Sequence, residues 1–298
     1  MSRPLTRHTP CERSALSYSE AYMNYANLHL HSTFSDGTLT PSQLVNIGKA
    51  LGYKALALTD HETDGGFEEF SLAGEREGIE VMRGAEFYGM FEGKNLHLTA
   101  LDFDPNSRFL RDLITEKVET RYETTKKRFE LAVARGYITE ITWDDVVKFN
   151  DEQSWLCIGS IIRTYRTLRI PVPEELNYKV FKNPEALTLG AKTMDADRVI
   201  RAVRDAGGII ALAHPYKITH FIPELVKLGL NGVETSHPDN KEDTTELALE
   251  MAEKYNLYHC GGTDHTGAMS GLGGKHARPA FEGLSEEEYL SLKERRRG

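Results

Sequence analysis

The stretch Asn27-Leu28-His29-Leu30-His31-Ser32-Thr33-Phe34-Ser35-Asp36-Gly37 puts two imidazoles and a carboxylate at the end of a strand-like apolar run. Residues two apart on a strand point to the same face, so His29 and His31 can converge on one ion, while Asp36 lies beyond the strand in a loop. A lone His-x-His pair is commonly just a surface feature, but here the pattern recurs. Ala55 to Thr59 ends in Asp60-His61, Ile79 to Ala85 ends in Glu86, Gly208 to Ala213 ends in His214-Pro215, and Tyr258 to Thr263 ends in Asp264-His265. His97 sits within a further run, Leu96 to Leu101. Strands that finish in His, Asp or Glu are what a (β/α) barrel requires, because its active site is assembled at the carboxyl ends of the strands. Helix capping would account for Asp60 or Asp264 but not for the histidines.

With 298 residues and 40% hydrophobic content, the chain can bury a core large enough for one barrel carrying an insertion. A net charge of −9 argues against a general polyanion-binding surface, so long nucleic acid is not expected, although a locally basic, metal-filled cleft can still attract phosphate. Cys11, Cys157 and Cys260 show no paired spacing, and neither a signal peptide nor an apolar run of membrane-spanning length is evident. A reduced, cytoplasmic protein acting on a small molecule, with no membrane partner, is the expectation.

Residues 1–24 read as a polar N-terminal extension. Thr40-Pro41-Ser42 followed by Leu44, Val45, Ile47 and Leu51 predicts a capped amphipathic helix ending at Gly52. A helix from Gly66 to Glu77 closed by Gly78 completes a βαβαβ rhythm, which implies parallel strands. Between Asp104 and Lys192 the rhythm gives way to a long charged helix, Arg108 to Arg135, the segment Ile141 to Val147, and a helical piece from Ile158 to Leu168. Residues 104–192 are therefore expected to form a helical cap inserted into a barrel built from 25–103 and 193–298. Barrel periodicity resumes with helices at Asp195 to Ala206 and Glu242 to Tyr255. A cap over a barrel mouth usually governs substrate choice.

Taken together, Leu28-His29-Leu30-His31-Ser32, Leu58-Thr59-Asp60-His61, Gly84-Ala85-Glu86, His97, Leu212-Ala213-His214-Pro215 and Gly262-Thr263-Asp264-His265 resemble the polymerase and histidinol phosphatase (PHP) family of metal-dependent phosphoesterases. That resemblance spans residues 26 to about 268 and implies an α/β fold, a distorted (β/α)7 TIM-like barrel. It further implies that His29, His31, Glu86 and Asp264 hold a first metal, that Glu86 bridges to a second held by His97 and His214, and that Asp36 and His61 hold a third. Family members complete the third site with a His two positions after the last Asp; here position 266 is Thr, and His265, one position after, is the candidate ligand for that third metal.

Imidazole and carboxylate ligands suit two or three divalent ions of Mn, Fe or Zn, which would bind phosphoryl oxygens and acidify a bridging water for in-line attack on phosphorus. Asp60 and His265 are candidate proton donors, and Asp60 could equally orient a ligand. The cap resembles the subgroup that contains 3′,5′-nucleotide bisphosphate phosphatases and the phosphodiesterase acting on 5-phosphoribosyl 1,2-cyclic phosphate. The Arg-x-His element of the former is missing from Ile158 to Arg163, which favours the cyclic phosphodiesterase. Arg163 and Lys217 are candidate anchors for a second phosphate, with Arg166, Arg169 and Lys275 behind them. Competing readings are a non-catalytic PHP binding module and a C–N hydrolase.

Overall fold

The computed structural model describes residues 25–150, 155–173, 176, 182–189, 193–267 and 282–297. Residues 1–24, with Cys11, and Lys275 lie outside the described residues.

Thr40 starts the first helix with a capping box: its hydroxyl accepts from the Gln43 N–H while the Gln43 side chain accepts from the Thr40 N–H. Pro41, whose missing N–H costs nothing at the first helical position, opens α1 (Pro41–Ala50). This helix connects β1 (Ala26–Asn27) to β2 (Ala55–Leu58), and α2 (Phe67–Glu77) connects β2 to β3 (Glu80–Phe91). All three strands are parallel, as the βαβ rhythm implies. Leu44 and Val45 of α1 meet Leu56 and Leu58 of β2 and Phe70 of α2, burying the apolar face of each helix against the sheet.

The parallel order then breaks. β3 turns through Glu92 and Gly93, both at positive φ as a tight hairpin requires, into antiparallel β4 (Lys94–Leu101). β4 is also antiparallel to β5 (Ile209–Leu212), after which β6 (Gly232–Ser236) and β7 (Tyr258–Gly261) restore the parallel direction. Among the described residues the seven strands pair in sequence order. The end of β7 returns to β1 through Leu28 N–H to the Gly261 carbonyl at 3.0 Å and Asp264 N–H to the His29 carbonyl at 2.9 Å. A Cβ on Gly262 would lie 2.4 Å from the His29 nitrogen, so only glycine permits this approach.

Among the described residues, α3 (Arg108–Ala134), α4 (Trp143–Lys148), α5 (Ile158–Thr167) and α6 (Pro184–Thr188) follow β4 and precede α7 (Ala196–Asp205), which leads into β5. Phe129, Val146, Ile161 and Tyr165 form a small core of their own. α7, α8 (Ile222–Lys227) and α9 (Glu242–Tyr255) pack Val199, Leu225 and Ala248 against the barrel. The last helix, α10 (Glu286–Arg297), inserts Tyr289 and Leu292 among Leu28, Ala55 and Cys260, and Arg295 donates to the Leu257 carbonyl at the start of β7. It covers the end of the barrel where the parallel strands begin. None of the described helices is long and apolar enough to cross a membrane.

Candidate metal centre

At the opposite end of the barrel, His29 and His31 follow β1 and project to the same side. Their Nε2 atoms are 3.1 Å apart, and His31 Nε2 lies 3.0 Å from Asp264 Oδ1 and 3.4 Å from Glu86 Oε2. His29 Nε2 is 3.5 Å from each of those oxygens. An ion held about 2.1 Å from its donors separates neighbouring donors by about 3.0–3.4 Å, so these four atoms are spaced as one coordination shell.

The other oxygen of Glu86, Oε1, lies 2.9 Å from His97 Nδ1 and 3.2 Å from His214 Nε2. A single carboxylate thus presents one oxygen to each of two donor groups. Asp36 lies 3.7 Å from both His31 and His61, making a third grouping. His31 Nδ1, Asp36 Oδ1, His61 Nδ1 and Glu86 Oε2 are buried without a hydrogen-bond partner. His31 Nδ1 faces Asp36 Oδ1 at 3.7 Å and His61 Nδ1 faces Glu86 Oε2 at 3.0 Å, and buried donors of this kind left without hydrogen bonds would be costly unless cations satisfied them, so the residues fit divalent metal. The expected ligands His29, His31, Asp36, His61, Glu86, His97, His214 and Asp264 are all brought together; His265 is not among these groupings.

Two of the candidate ligands do not come from strand ends. Glu86 lies within β3, and His97 lies in the first half of β4, because β4 runs antiparallel and its beginning faces the centre. His214 and Asp264 have φ of 31° and 48°, a left-handed backbone that non-glycine residues adopt at a cost and that here turns both side chains inward.

Glu234, which the sequence pattern did not single out, lies fully buried on β6. It accepts from His29 Nδ1 at 2.6 Å, from Thr99 Oγ1 at 2.9 Å and from the His214 backbone N–H at 2.8 Å. Burial pushes its carboxyl up, but the His29, His237 and His214 charges prevail and lower it to about 2. Holding the His29 Nδ1 proton leaves Nε2 for a metal. His237 Nε2 faces Asp264 Oδ2 at 3.3 Å, while its Nδ1 accepts from the Asp239 N–H. The available signal was the short run Gly232 to Thr235, whose glutamate points inward two residues before a barrel strand ends.

Asp60 is buried, but its oxygens accept from the Ser32 N–H, the Ser32 hydroxyl and the Ser35 hydroxyl at 2.5–2.7 Å. This carboxylate organises the loop that carries Asp36, a placement that does not support proton donation. Arg163 donates to the Gly37 carbonyl at 3.0 Å and to Asn150 Oδ1 at 3.0 Å, joining α5 to the same loop. Lys217 is exposed, its ammonium 4.9 Å from the Tyr216 ring centre. Arg166 and Arg169 are also exposed.

Residues 27–157 match the family model described as the PHP domain. The chain is 28% identical over 247 residues to a phosphoribosyl 1,2-cyclic phosphate 1,2-diphosphodiesterase of Eggerthella lenta, covering 81% of this chain and 94% of that one. It is 27% identical over 251 residues to a 5′-3′ exoribonuclease of Haemophilus influenzae, with coverage of 80% and 88%. A 3′,5′-nucleoside bisphosphate phosphatase of Chromobacterium violaceum is 24% identical over 254 residues, with coverage of 80% and 86%. The crystal structure of a candidate metal-dependent phosphoesterase from Bifidobacterium adolescentis has the same fold, with a TM-score of 0.77, 24% identity, and coverage of 92% of this chain and 97% of that one.

Proposed function

We propose that the chain, whose residues 27–157 match the PHP domain, is a metal-dependent phosphoesterase that hydrolyses 5-phosphoribosyl 1,2-cyclic phosphate, opening the cyclic diester and then removing the resulting monoester at one centre. The observation that carries the reading is Glu86, whose two oxygens face two separate donor groups. His29, His31, Glu86 and Asp264 would hold one ion, Glu86, His97 and His214 a second, and Asp36 with His61 and His31 a third. Divalent cations, when bound, withdraw charge from phosphoryl oxygens and acidify water between them.

The chain's own residues do the rest. Glu234 fixes the His29 ring, and Asp60 holds the Ser32–Ser35 loop so that Asp36 faces the centre. Of the two proton-donor candidates, His265 remains for the departing alkoxide. Hydrolysis of a nucleotide 3′,5′-bisphosphate is the second reading, favoured by the similarity to the Chromobacterium violaceum enzyme. Against it, the aromatic rings beside the centre offer little face to a base: Trp155 is 3% exposed and packs on His61, and Tyr88 stacks on the same ring. Phosphorus NMR of the cyclic ester and of adenosine 3′,5′-bisphosphate with Mn²⁺, run side by side, tests the choice. Faster conversion of the cyclic ester with release of inorganic phosphate is expected. Rapid consumption of the bisphosphate with the cyclic ester intact would give the second reading its place.

A further inference from the structure

We propose that the cavity between α3 and the β3–β4 hairpin is the subsite for a phosphate monoester that is not the one being hydrolysed, with Arg121 as the residue that selects for it. The inference rests on the phosphoesterase reading and deepens it.

The cavity, of about 510 Å³, is lined in part by Glu62, whose N–H donates to the Glu86 carbonyl, and by Tyr88, which stacks on His61. Lys117, Arg121, Thr124 and Arg128 recur at helical spacing on α3 and line it as one stripe, with Asn95 of β4 opposite. Most of its charge is already neutralised. Lys117 donates to Glu62 at 2.9 Å and to the Tyr88 carbonyl, and Arg198 is paired through two nitrogens with Glu116 at 2.9 and 2.6 Å.

Arg121 differs. Its guanidinium lies over the Tyr88 ring at 4.9 Å and near the Trp155 ring at 5.1 Å, which fixes its plane. Its nearest carboxylate oxygen, Glu62 Oε2 at 3.5 Å, already accepts from Trp155 Nε1 at 3.1 Å, and Arg121 Nε is buried without a hydrogen-bond partner. A planar guanidinium oriented by stacking yet weakly paired matches the oxygens of a phosphate dianion. Further along the stripe, Arg128 donates to the Ala186 carbonyl, and burial together with the neighbouring Arg121 charge lowers its pKa. An anion between them relieves that repulsion.

Arg121 is connected to the candidate metal centre through the Tyr88 ring. Tyr88 stacks on His61 with ring centres 5.1 Å apart, so Arg121 stands one ring layer from a metal ligand. Asn95 and Thr124 line the same cavity as Arg121 and Tyr88, where they can meet the hydroxyls of a ribose. A phosphate monoester could also belong to the 5′ end of an RNA. The closed aromatic faces and the modest volume favour the small sugar.

The test compares the Mn²⁺-loaded wild-type protein with Arg121→Ala and Arg121→Lys on 5-phosphoribosyl 1,2-cyclic phosphate and on ribose 1,2-cyclic phosphate, which lacks the second phosphate. In Arg121→Ala, kcat/KM on the phosphorylated ester should fall about 30-fold or more, mainly through KM, and at least tenfold more than on the ester without it, with Arg121→Lys between. Calorimetric titration with ribose 5-phosphate should show binding weakened about tenfold or more in Arg121→Ala. Equal losses on both esters, or ribose 5-phosphate binding unchanged by the substitution, would overturn the subsite. Turnover of neither ester together with Arg121-dependent binding of ribose 5-phosphate would sink the reaction and uphold the subsite. An Arg121-dependent preference for a 5′-phosphorylated over a 5′-hydroxyl oligoribonucleotide, absent with the sugar esters, would overturn the small-sugar assignment.

Discussion

Glu234 accepts the Nδ1 proton of His29 at 2.6 Å, and through its second oxygen it accepts the backbone N–H of His214 at 2.8 Å. One buried carboxylate thereby steadies a residue of each of two ligand groups. Glu234→Ala should weaken metal affinity roughly 10–100-fold, the range found when an outer partner of a ligand is removed. Glu234→Gln, which keeps an acceptor but not the charge, should fall between. Isothermal titration with Mn²⁺ and elemental analysis after dialysis provide the measure, and retention of full metal by Glu234→Ala would remove the role.

Glu86 and Asp36 should behave unequally. Glu86 lies between two donor groups, so Glu86→Ala should leave the protein short of two ions per chain and without phosphoesterase activity. Asp36 belongs to the third group only, and Asp36→Ala should lower metal content by at most one ion. Metal counted per chain by mass spectrometry decides, and an Glu86→Ala protein with unchanged metal would refute the bridging assignment.

The candidate ligands were legible because barrel chemistry places such residues at regular sites: His29-Leu30-His31, Asp60-His61, His214-Pro215 and Asp264-His265 each close an apolar run. Helices were legible where caps and periodicity agreed, as at Thr40 to Gly52 and at Glu242 to Tyr255. What escaped was decided by distant partners. Nothing local reveals that β4 runs antiparallel on both sides, and the role of Glu234 arises only when the barrel brings β6 against His29, which follows β1, and His214, which follows β5. α10 is charged almost throughout, and only Tyr289 and Leu292 enter the core, too few to signal a buried helix. Arg163 and Arg121 look alike as residues; the Gly37 carbonyl engages the first, while the Tyr88 and Trp155 rings orient the second.

Arg163→Ala should act on the joint between α5 and the loop that carries Asp36, and not on substrate phosphate. The guanidinium satisfies the Gly37 carbonyl and Asn150 Oδ1, and leaving such groups without their donor costs about 1–3 kcal/mol. The expected result is a lower melting temperature, with kcat/KM falling by the same factor on phosphorylated and unphosphorylated cyclic esters. A loss confined to the phosphorylated ester would return Arg163 to substrate recognition.

The stabilisation conferred by metal should grow with pH. Burial, the largest single influence on His29, favours its neutral form, but Glu234, Glu86 and Asp264 together outweigh it and hold the pKa well above the ordinary value; around His61, Tyr88, Asp36 and Glu86 outweigh burial in the same way. In metal-free protein, such raised histidines add stability that is fully present below about pH 6.5 and is lost as pH rises through their folded values. Glu86, which burial would raise but which His97, His29 and His61 hold well down, and Glu234 at about 2 contribute in the opposite sense. Their stability is present above about pH 4.5 and fades only toward their folded values, so it is constant across the neutral range. Metal must displace the histidine protons, so it binds better as pH rises, while the metal-free protein loses the contribution of its charged rings. Melting curves from pH 6 to 9, with Mn²⁺ and after chelation, should therefore show a gap that widens with pH. A gap that stays constant or narrows would mean that these rings are already neutral without metal.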